Sequence, residues 1–451
     1  MIKKSKRVIA LGLFSTITAA YLFGSFAEAK STAAKSTAKE KLEAYIKFTQ
    51  ILNIIENQYV DDVNTSALVD KALKGLMTNL DAHSTYMDAK DYKDLTVQTK
   101  GEFGGLGISV GMKDGALTVI APLDGTPAFT AGVKAGDIIL KIDNKATIGM
   151  NIDDAVKLMR GKPKTDIALT LIRKNEPKPL VIKITRDIIK IQSVYAKTIQ
   201  TDEQILYLGI TSFDQKVVED VQKALKEHPK TKGIILDLRN NPGGLLDQAV
   251  GLVDLFIDQG VIVSQKGKTK EENITFEAHK ENTDITTPIV VIVNGGSASA
   301  SEIVSGALQD FNRSVTVGEK TFGKGSVQIV MPIGKEEALK LTVARYYLPS
   351  GRTIQAEGVT PDIIVHFGKI EQNDDPVLLK EKDLSKHLSS ELEKIETTKK
   401  IGIDANTTIG EDNATKIDET IITEEQLYND AQLKSSMDIL KALIITNKGK
   451  K

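Results

Sequence analysis

Nine residues, Asn294-Gly295-Gly296-Ser297-Ala298-Ser299-Ala300-Ser301-Glu302, carry the most pointed chemistry in the chain. They join an apolar run at 288–293 to a helix-like stretch at 302–311. A hydroxyl there stands at the carboxyl end of a buried strand, beside the free N–H groups of a helix start. Such a place stabilises an oxyanion, and one donor is worth ~3 kcal/mol of barrier. Ser299 and Glu302 also fit the S-x-x-E capping box, worth ~1 kcal/mol of helix stability. The same serine therefore reads as a helix cap or as a nucleophile, and local spacing does not separate Ser299 from Ser297 or Ser301.

A second segment, 318–328, reads G-E-K-T-F-G-K-G-S-V-Q. It nearly matches a phosphate-binding loop. Gly325, however, stands where that loop needs a magnesium-binding hydroxyl, and a strand follows rather than a helix, which argues against nucleotide binding. What remains is Lys324 between Gly323 and Gly325, two residues that allow close backbone approach. Buried beside a serine, a lysine loses charge, and its pKa falls from ~10.4 toward neutrality. The neutral amine can then take the serine proton. If Lys324 opens a strand, Ser326 and Gln328 share its face, and Gln328 can fix the amine's direction. The bland alternative is a solvated turn lysine.

A histidine base competes. Of His83, His228, His279, His366 and His387, only His366, just after a strand, is credibly placed. No two histidines lie within a helical turn of each other, and cysteine is absent. Local zinc motifs, disulfides, thiolate metal sites and cysteine nucleophiles are thereby excluded. No metal or other cofactor is implied.

The elements that must position these groups belong to an ordinary globular chain. Its 451 residues are 41% hydrophobic and 26% charged, with a formal net charge of −1. That length suits about three domains, and the charge balance offers no pull toward nucleic acid. Residues 38–95 show helical spacing, with Leu42, Tyr45, Phe48, Ile51, Leu52, Ile55 and Tyr59 recurring at three and four. Residues 96–187 read as short strands with two short helices. Residues 188–368 alternate strands and helices, which indicates a layered α/β domain. In 369–451, a polar linker at 397–420 precedes a final amphipathic helix over 427–443.

Residues 1–29 read as an export signal. Lys3, Lys4, Lys6 and Arg7 precede an uncharged stretch at 8–26, and Ala27-Glu28-Ala29 offers a cleavage site. An uncleaved membrane anchor is the alternative, because ~19 apolar residues approach spanning length. Either way the rest of the chain is expected outside the cytoplasm, for instance in a periplasm. Five N-x-[ST] sites, Asn64, Asn273, Asn312, Asn406 and Asn413, all carry an acid two residues earlier, although only 60 of 451 residues are acidic. This resembles the extended bacterial N-glycosylation sequon, with Asn406 and Asn413 in the most loop-like surroundings.

Taken together, the motifs resemble those of the carboxy-terminal processing proteases, also called tail-specific proteases. The resemblance covers roughly residues 40–368. It rests on L-D-A-H-S-T-Y at 80–86, A-G-V-K-A-G-D-I-I at 131–139, D-L-R-N-N-P-G-G at 237–244, the serine-rich turn, T-F-G-K-G-S-V-Q at 321–328 and Y-L-P-S-G-R at 347–352. Ala82 stands where many members have proline. The resemblance implies an α/β protease core, a layered crotonase-like βα sheet, with an inserted PDZ domain and helical N- and C-terminal segments. It implies a serine endopeptidase with Ser299 as nucleophile, Lys324 as base and Gln328 as its partner. The oxyanion donors fall on Ala300 and on Gly243 or Gly244. Leu106, Gly107 and Ile108 match the loop and strand that grip a substrate's terminal carboxylate, the tail adding as a β-strand. Arg160 matches an arginine that couples tail binding to activity in some members. Expected partners are proteins with free C-termini, and a second copy of the chain paired through the terminal helices. A non-catalytic PDZ adaptor or chaperone of the envelope is the other function class.

Overall fold

The structure, a computed structural model, describes residues 36–370 and 418–448 apart from Asp114, Asp124, Asn282, Lys335 and Glu419. The export signal, Asn406, Asn413, His387 and most of the 397–420 linker lie outside the described residues. The chain divides into two units, 1–75 and 76–451.

In the first unit the helix Ala38–Gln58 starts at a full capping box. Thr37 N–H donates to Glu40 Oε2 at 2.7 Å, and Glu40 N–H to Thr37 Oγ1 at 3.3 Å. Its apolar residues Leu42, Tyr45, Phe48 and Ile51 are exposed.

The second unit is built on a seven-stranded sheet. Its order is Ile363–Ile364, Ser314–Gly318, Ile289–Val293, Gly233–Asp237, Asp202–Ile210, Val194–Ile199, Ile421–Ile422. Every neighbouring pair is parallel except Val194–Ile199 with Asp202–Ile210. The two central runs, G-I-I-L-D and I-V-V-I-V, are buried at every position. Parallel strands covered on both faces require that continuity. Alternate residues serve two cores. Leu206, Leu208, Ile234, Leu236, Val291 and Val293 pack with the helices Val217–Glu227, Leu246–Asp254 and Ala300–Asp310. Ile205, Ile235, Val290, Ile292 and Val317 pack with Leu427, Leu433, Met437 and Leu440 of Glu424–Tyr428 and Ala431–Lys448. Arg239 joins the two layers, with Nη2 on Asp237 Oδ2 at 2.6 Å and on Asp430 Oδ2 at 2.8 Å.

A second, antiparallel sheet holds Glu337–Tyr347, flanked by Ser326–Ile333, Thr85–Met87 and Val261–Gly267, with Ile274–Glu277 beyond the last. Thr85–Met87 interrupts the expected helical stretch over 38–95. Residues 89–100 are helical again. The strand is three residues long and exists because Thr85, Tyr86 and Met87 pair with Lys340, Leu339 and Ala338.

Residues 108–185 form a six-stranded antiparallel sheet with the helices Pro127–Thr130 and Ile152–Met159. The aspartate of its A-G-V-K-A-G-D motif is buried. Asp137 Oδ2 accepts Lys134 N–H at 2.9 Å, and both oxygens accept from Arg173 at 2.8 Å. A ribbon of Glu102–Gly105 with Asp187–Lys190 gathers the two ends of this domain. An ion pair from Lys216 to Glu102 ties it to the core sheet's side. Among the described residues no helix is long and apolar enough to cross a membrane.

Candidate active site

The buried run Ile289–Val293 ends at Asn294, and the chain turns through Gly295 and Gly296 into the helix Ala300–Asp310. The three serines of this turn have different fates. Ser297 Oγ donates to Leu238 O at 2.8 Å, and Ser301 Oγ donates to Asn241 O at 2.9 Å; both side chains are wholly buried. Their hydroxyls are spent holding the turn to the neighbouring strand end. Among the described residues Ser299 Oγ makes no hydrogen bond, and 8% of the residue remains exposed. Its backbone sits at φ 55°, ψ −112°, a conformation that costs a non-glycine residue ~1–3 kcal/mol.

The expected capping box of Ser299 and Glu302 is present, and its firm half is the one made by Glu302. Glu302 Oε2 accepts Ser299 N–H at 2.8 Å, while the Ser299 hydroxyl faces the Glu302 N–H without a full hydrogen bond. Glu302 does more than cap. The same Oε2 accepts Lys324 N–H at 2.8 Å, while Oε1 accepts Thr321 Oγ1–H at 2.6 Å and Gly323 N–H at 2.7 Å. One fully buried carboxylate therefore holds the backbone of the serine and the backbone of the lysine on a common clamp. Sequence reasoning saw Glu302 only as a cap. Its second half is invisible there because the partners lie 19 to 22 positions on.

Lys324 precedes the strand Ser326–Ile333 and is half-buried. Burial, and next the charge of Lys340, push its pKa below the usual lysine range, and Glu302 opposes them. The side-chain tips are not yet joined. Lys324 Nζ forms no hydrogen bond to Ser299 Oγ or to Gln328. Gln328 shares a face with Ser326, as the spacing predicts, but its Nε2 goes to Ser326 Oγ at 2.9 Å and Thr342 Oγ1 at 3.3 Å.

Opposite Ser299 runs Asn241-Pro242-Gly243-Gly244. Asn241 is fully buried, donating to Ile210 O at 2.8 Å, and its carbonyl accepts Ala298 N–H at 3.0 Å. A Cβ at Gly243 would lie 2.8 Å from Ser299 Cβ and 3.0 Å from Ala300 N, so only glycine permits this approach. The two glycines differ in what they can donate. Gly243 N–H is committed to Asn241 Oδ1 at 2.9 Å, whereas Ala300 and Gly244 N–H donate to no group among the described residues.

His366, the histidine favoured by position, is exposed and pairs with Glu319 at 3.1 Å. His83 was passed over, yet it is the histidine near the lysine: burial, and next the charge of Lys324, lower its pKa. Its place in the L-D-A-H-S-T-Y motif was the available signal.

In the 108–185 domain the carbonyls of Leu106 and Gly107 are tied back, accepting Ala128 N–H at 2.9 Å and Leu123 N–H at 2.8 Å. Their own N–H groups are unspent among the described residues. A cavity of about 190 Å³ opens beside them, lined also by Ile108, Val156 and Arg160. Arg160 caps its helix, stacks 4.7 Å from the Phe103 ring and pairs with Asp94 at 3.3 Å. Asn64, Asn273 and Asn312 are exposed.

Comparison with known proteins agrees with this layout. Residues 204–365 match the profile of peptidase family S41, residues 104–184 that of the PDZ domain, and residues 9–91 that of the activating protease CtpB N-terminal domain. A carboxy-terminal-processing protease of Bartonella bacilliformis is 47% identical over 71% of this chain and 74% of its own. The carboxy-terminal processing protease CtpA of Bacillus subtilis is 36% identical over 73% of this chain and 70% of its own. Among solved structures, a photosystem II D1 C-terminal processing protease is 27% identical, covering 73% of this chain and 94% of that one, with a TM-score of 0.41.

Proposed function

Since the chain belongs to the carboxy-terminal processing proteases of peptidase family S41 and is a PDZ-bearing serine peptidase, we propose that Ser299 is its nucleophile and Lys324 its general base. The observation that carries this reading is the Glu302 clamp, which ties the backbones of Ser299 and of Lys324, a lysine whose pKa burial lowers, to one buried carboxylate. Ser299 Oγ attacks the scissile carbonyl as its proton passes to the neutral Lys324 amine. Lys324 then protonates the leaving amine, and an ester joins Ser299 to the acyl half. Water attacks that ester, giving its proton to Lys324. The new carboxylic product leaves as Ser299 recovers a proton. Ala300 and Gly244 N–H carry the oxyanion, with Gly243 supplying the close approach. Gln328 orients the amine once the side chains close on substrate, since catalytic hydrogen bonds often tighten only in the complex.

The unspent N–H groups of Leu106 and Gly107 suit a terminal carboxylate, and Ile108 begins the strand on which an unstructured tail would add. Arg160 bridges that groove and the helix Ala89–Lys100, a position suited to coupling tail binding with activity. The layered core is read as crotonase-like, between helical N- and C-terminal segments. Residues 1–29 support export to a periplasm or an equivalent compartment, with cleavage or retention as an anchor. Glycosylation at the acid-preceded sequons and pairing through exposed Leu42, Tyr45 and Phe48 complete the reading, whereas Leu427, Leu433, Met437 and Leu440 of the C-terminal helices, also expected to pair, are instead spent in the chain's own core.

The test is cleavage of unfolded β-casein by the full chain. Ser299→Ala and Lys324→Ala should each abolish turnover while retaining tail-peptide binding and the thermal melt, and chelators should leave the parent unaffected. Near-full activity of Lys324→Ala at neutral pH removes the proposed base.

A further inference from the structure

The L-D-A-H-S-T-Y segment has no part in the chemistry described so far, yet it is wired to it. Asp81 Oδ1 accepts the N–H groups of His83 at 2.7 Å and Ser84 at 2.8 Å, shaping a turn. Its Oδ2 accepts Ser84 Oγ–H at 2.6 Å, and Oδ1 also accepts Thr342 Oγ1–H at 3.2 Å. Ser84 Oγ in turn accepts Thr342 N–H at 3.0 Å. Thr342 lies directly across from Gln328 in the strand pair, and Gln328 Nε2 donates to Thr342 Oγ1 at 3.3 Å and to Ser326 Oγ at 2.9 Å.

The proton directions in this network follow from its end member. An ionised carboxylate only accepts, and Thr342 Oγ1 lies 3.2 Å from Asp81 Oδ1 and 3.3 Å from Ser84 Oγ, whose own proton goes to Asp81 at 2.6 Å, so Asp81 is the charged acceptor open to the Thr342 proton. With that proton on Asp81, the Thr342 Oγ1 lone pairs are left to accept, which favours the amide nitrogen of Gln328 facing Thr342. Gln328 Oε1 is left over and accepts nothing among the described residues. The hydrogen bonds to Asp81 hold its pKa below the usual carboxylate range although burial pushes the other way, so it remains acceptor-only near neutral pH. The turn also stands close to the base, since the charge of Lys324 acts on His83.

We propose that Asp81, Ser84 and Thr342 are positioning residues that lock the Gln328 amide in one orientation, with its oxygen as the end left for the Lys324 amine. A flipped amide would offer the amine a donor and lose its hold on it. The inference rests on the roles proposed for Lys324 and Gln328, and the test separates the two.

Steady-state cleavage of β-casein is measured with the full chain carrying Thr342→Val, Thr342→Ser, Asp81→Asn, Gln328→Ala and the double variant Thr342→Val with Gln328→Ala. Thr342→Val and Asp81→Asn should each lower kcat about tenfold with KM unchanged, the scale of one oriented hydrogen bond. Thr342→Ser, which restores the hydroxyl, should recover activity. The double variant should be no slower than Gln328→Ala alone. Asp81→Asn keeps an acceptor for the turn and stands in should Thr342→Val fail to fold. The inference is overturned if Thr342→Val keeps parental kcat while Gln328→Ala loses it, if Thr342→Ser is as slow as Thr342→Val, or if the two losses multiply. Full activity of Gln328→Ala refutes the role of Gln328 itself and takes the inference with it.

Discussion

Replacing Gly243 by alanine probes the oxyanion side of the site. The added Cβ would stand 2.8 Å from Ser299 Cβ and 2.7 Å from Ala298 O. Non-bonded carbons rest ~3.5 Å apart, so the serine and the glycine must separate by ~0.7 Å. Little can yield. Ala298 N–H is held by Asn241 O at 3.0 Å, and Ser299 N–H by Glu302 at 2.8 Å. The displacement therefore falls on Ser299, the proposed nucleophile, and on the position the proposed oxyanion would take. Misplacing reacting atoms by ~1 Å costs ~10²-fold in rate, and kcat for β-casein should fall by about that factor. Separately, φ at 243 is +99°, so a side chain there should cost ~1–2 kcal/mol of folding stability, seen as a lower urea midpoint. Initial rates at saturating substrate give kcat, anisotropy of a labelled tail peptide reports the PDZ groove, and a urea melt reports folding. Binding should not change, because the groove beside Leu106 and Gly107 uses none of these atoms. A folded variant with kcat within ~3-fold of the parent would show that Gly243 does not bound the reacting centre, and its proposed role in the close approach would fall.

Lys340→Met should move the acid limb of the kcat/KM profile to higher pH. The charge of Lys340 helps depress the Lys324 pKa, so its removal lets Lys324 hold its proton to higher pH. Activity near neutrality then falls several-fold and returns on alkalinisation, and a limb that stays put or moves to lower pH contradicts Lys324 as base. Glu302→Ala strands four donors, Ser299 N–H, Thr321 Oγ1–H, Gly323 N–H and Lys324 N–H, in a buried site. Denaturant titration should register a loss of ~3 kcal/mol or more, accompanied by loss of turnover, and an unchanged midpoint would mean that the clamp is not structural.

The elements nearest the chemistry were legible because they obey local rules. Five consecutive apolar residues at 289–293, a glycine turn and an S-x-x-E start give strand, loop and helix in order, and the structure has them so. The choice among Ser297, Ser299 and Ser301 was not legible. All three lie in one run with glycine or alanine before each, and the decision is made by the carbonyls of Leu238 and Asn241, some 60 positions away. Thr85–Met87 escaped notice for a related reason: three residues show no period, and their partners at 338–340 lie about 250 positions along the chain. Val261–Gly267 carries Ser264, Gln265 and Lys266, which blunt the apolar signal of a strand. Gly243 and Gly244 are told apart only by the fold, which commits the Gly243 N–H to Asn241 and sets Gly243 against Ser299 but Gly244 against Phe213.

The pairing of Ile421–Ile422 with Val194–Ile199 has a consequence for biogenesis. One margin of the seven-stranded sheet is sealed by residues that are made well after Ser299 and Lys324. Until they emerge, a nascent chain already holding Ser299 and Lys324 would present an open β margin, the kind of template that recruits foreign strands. A chain cut short of residue 421 would therefore carry this sheet with one side unsealed.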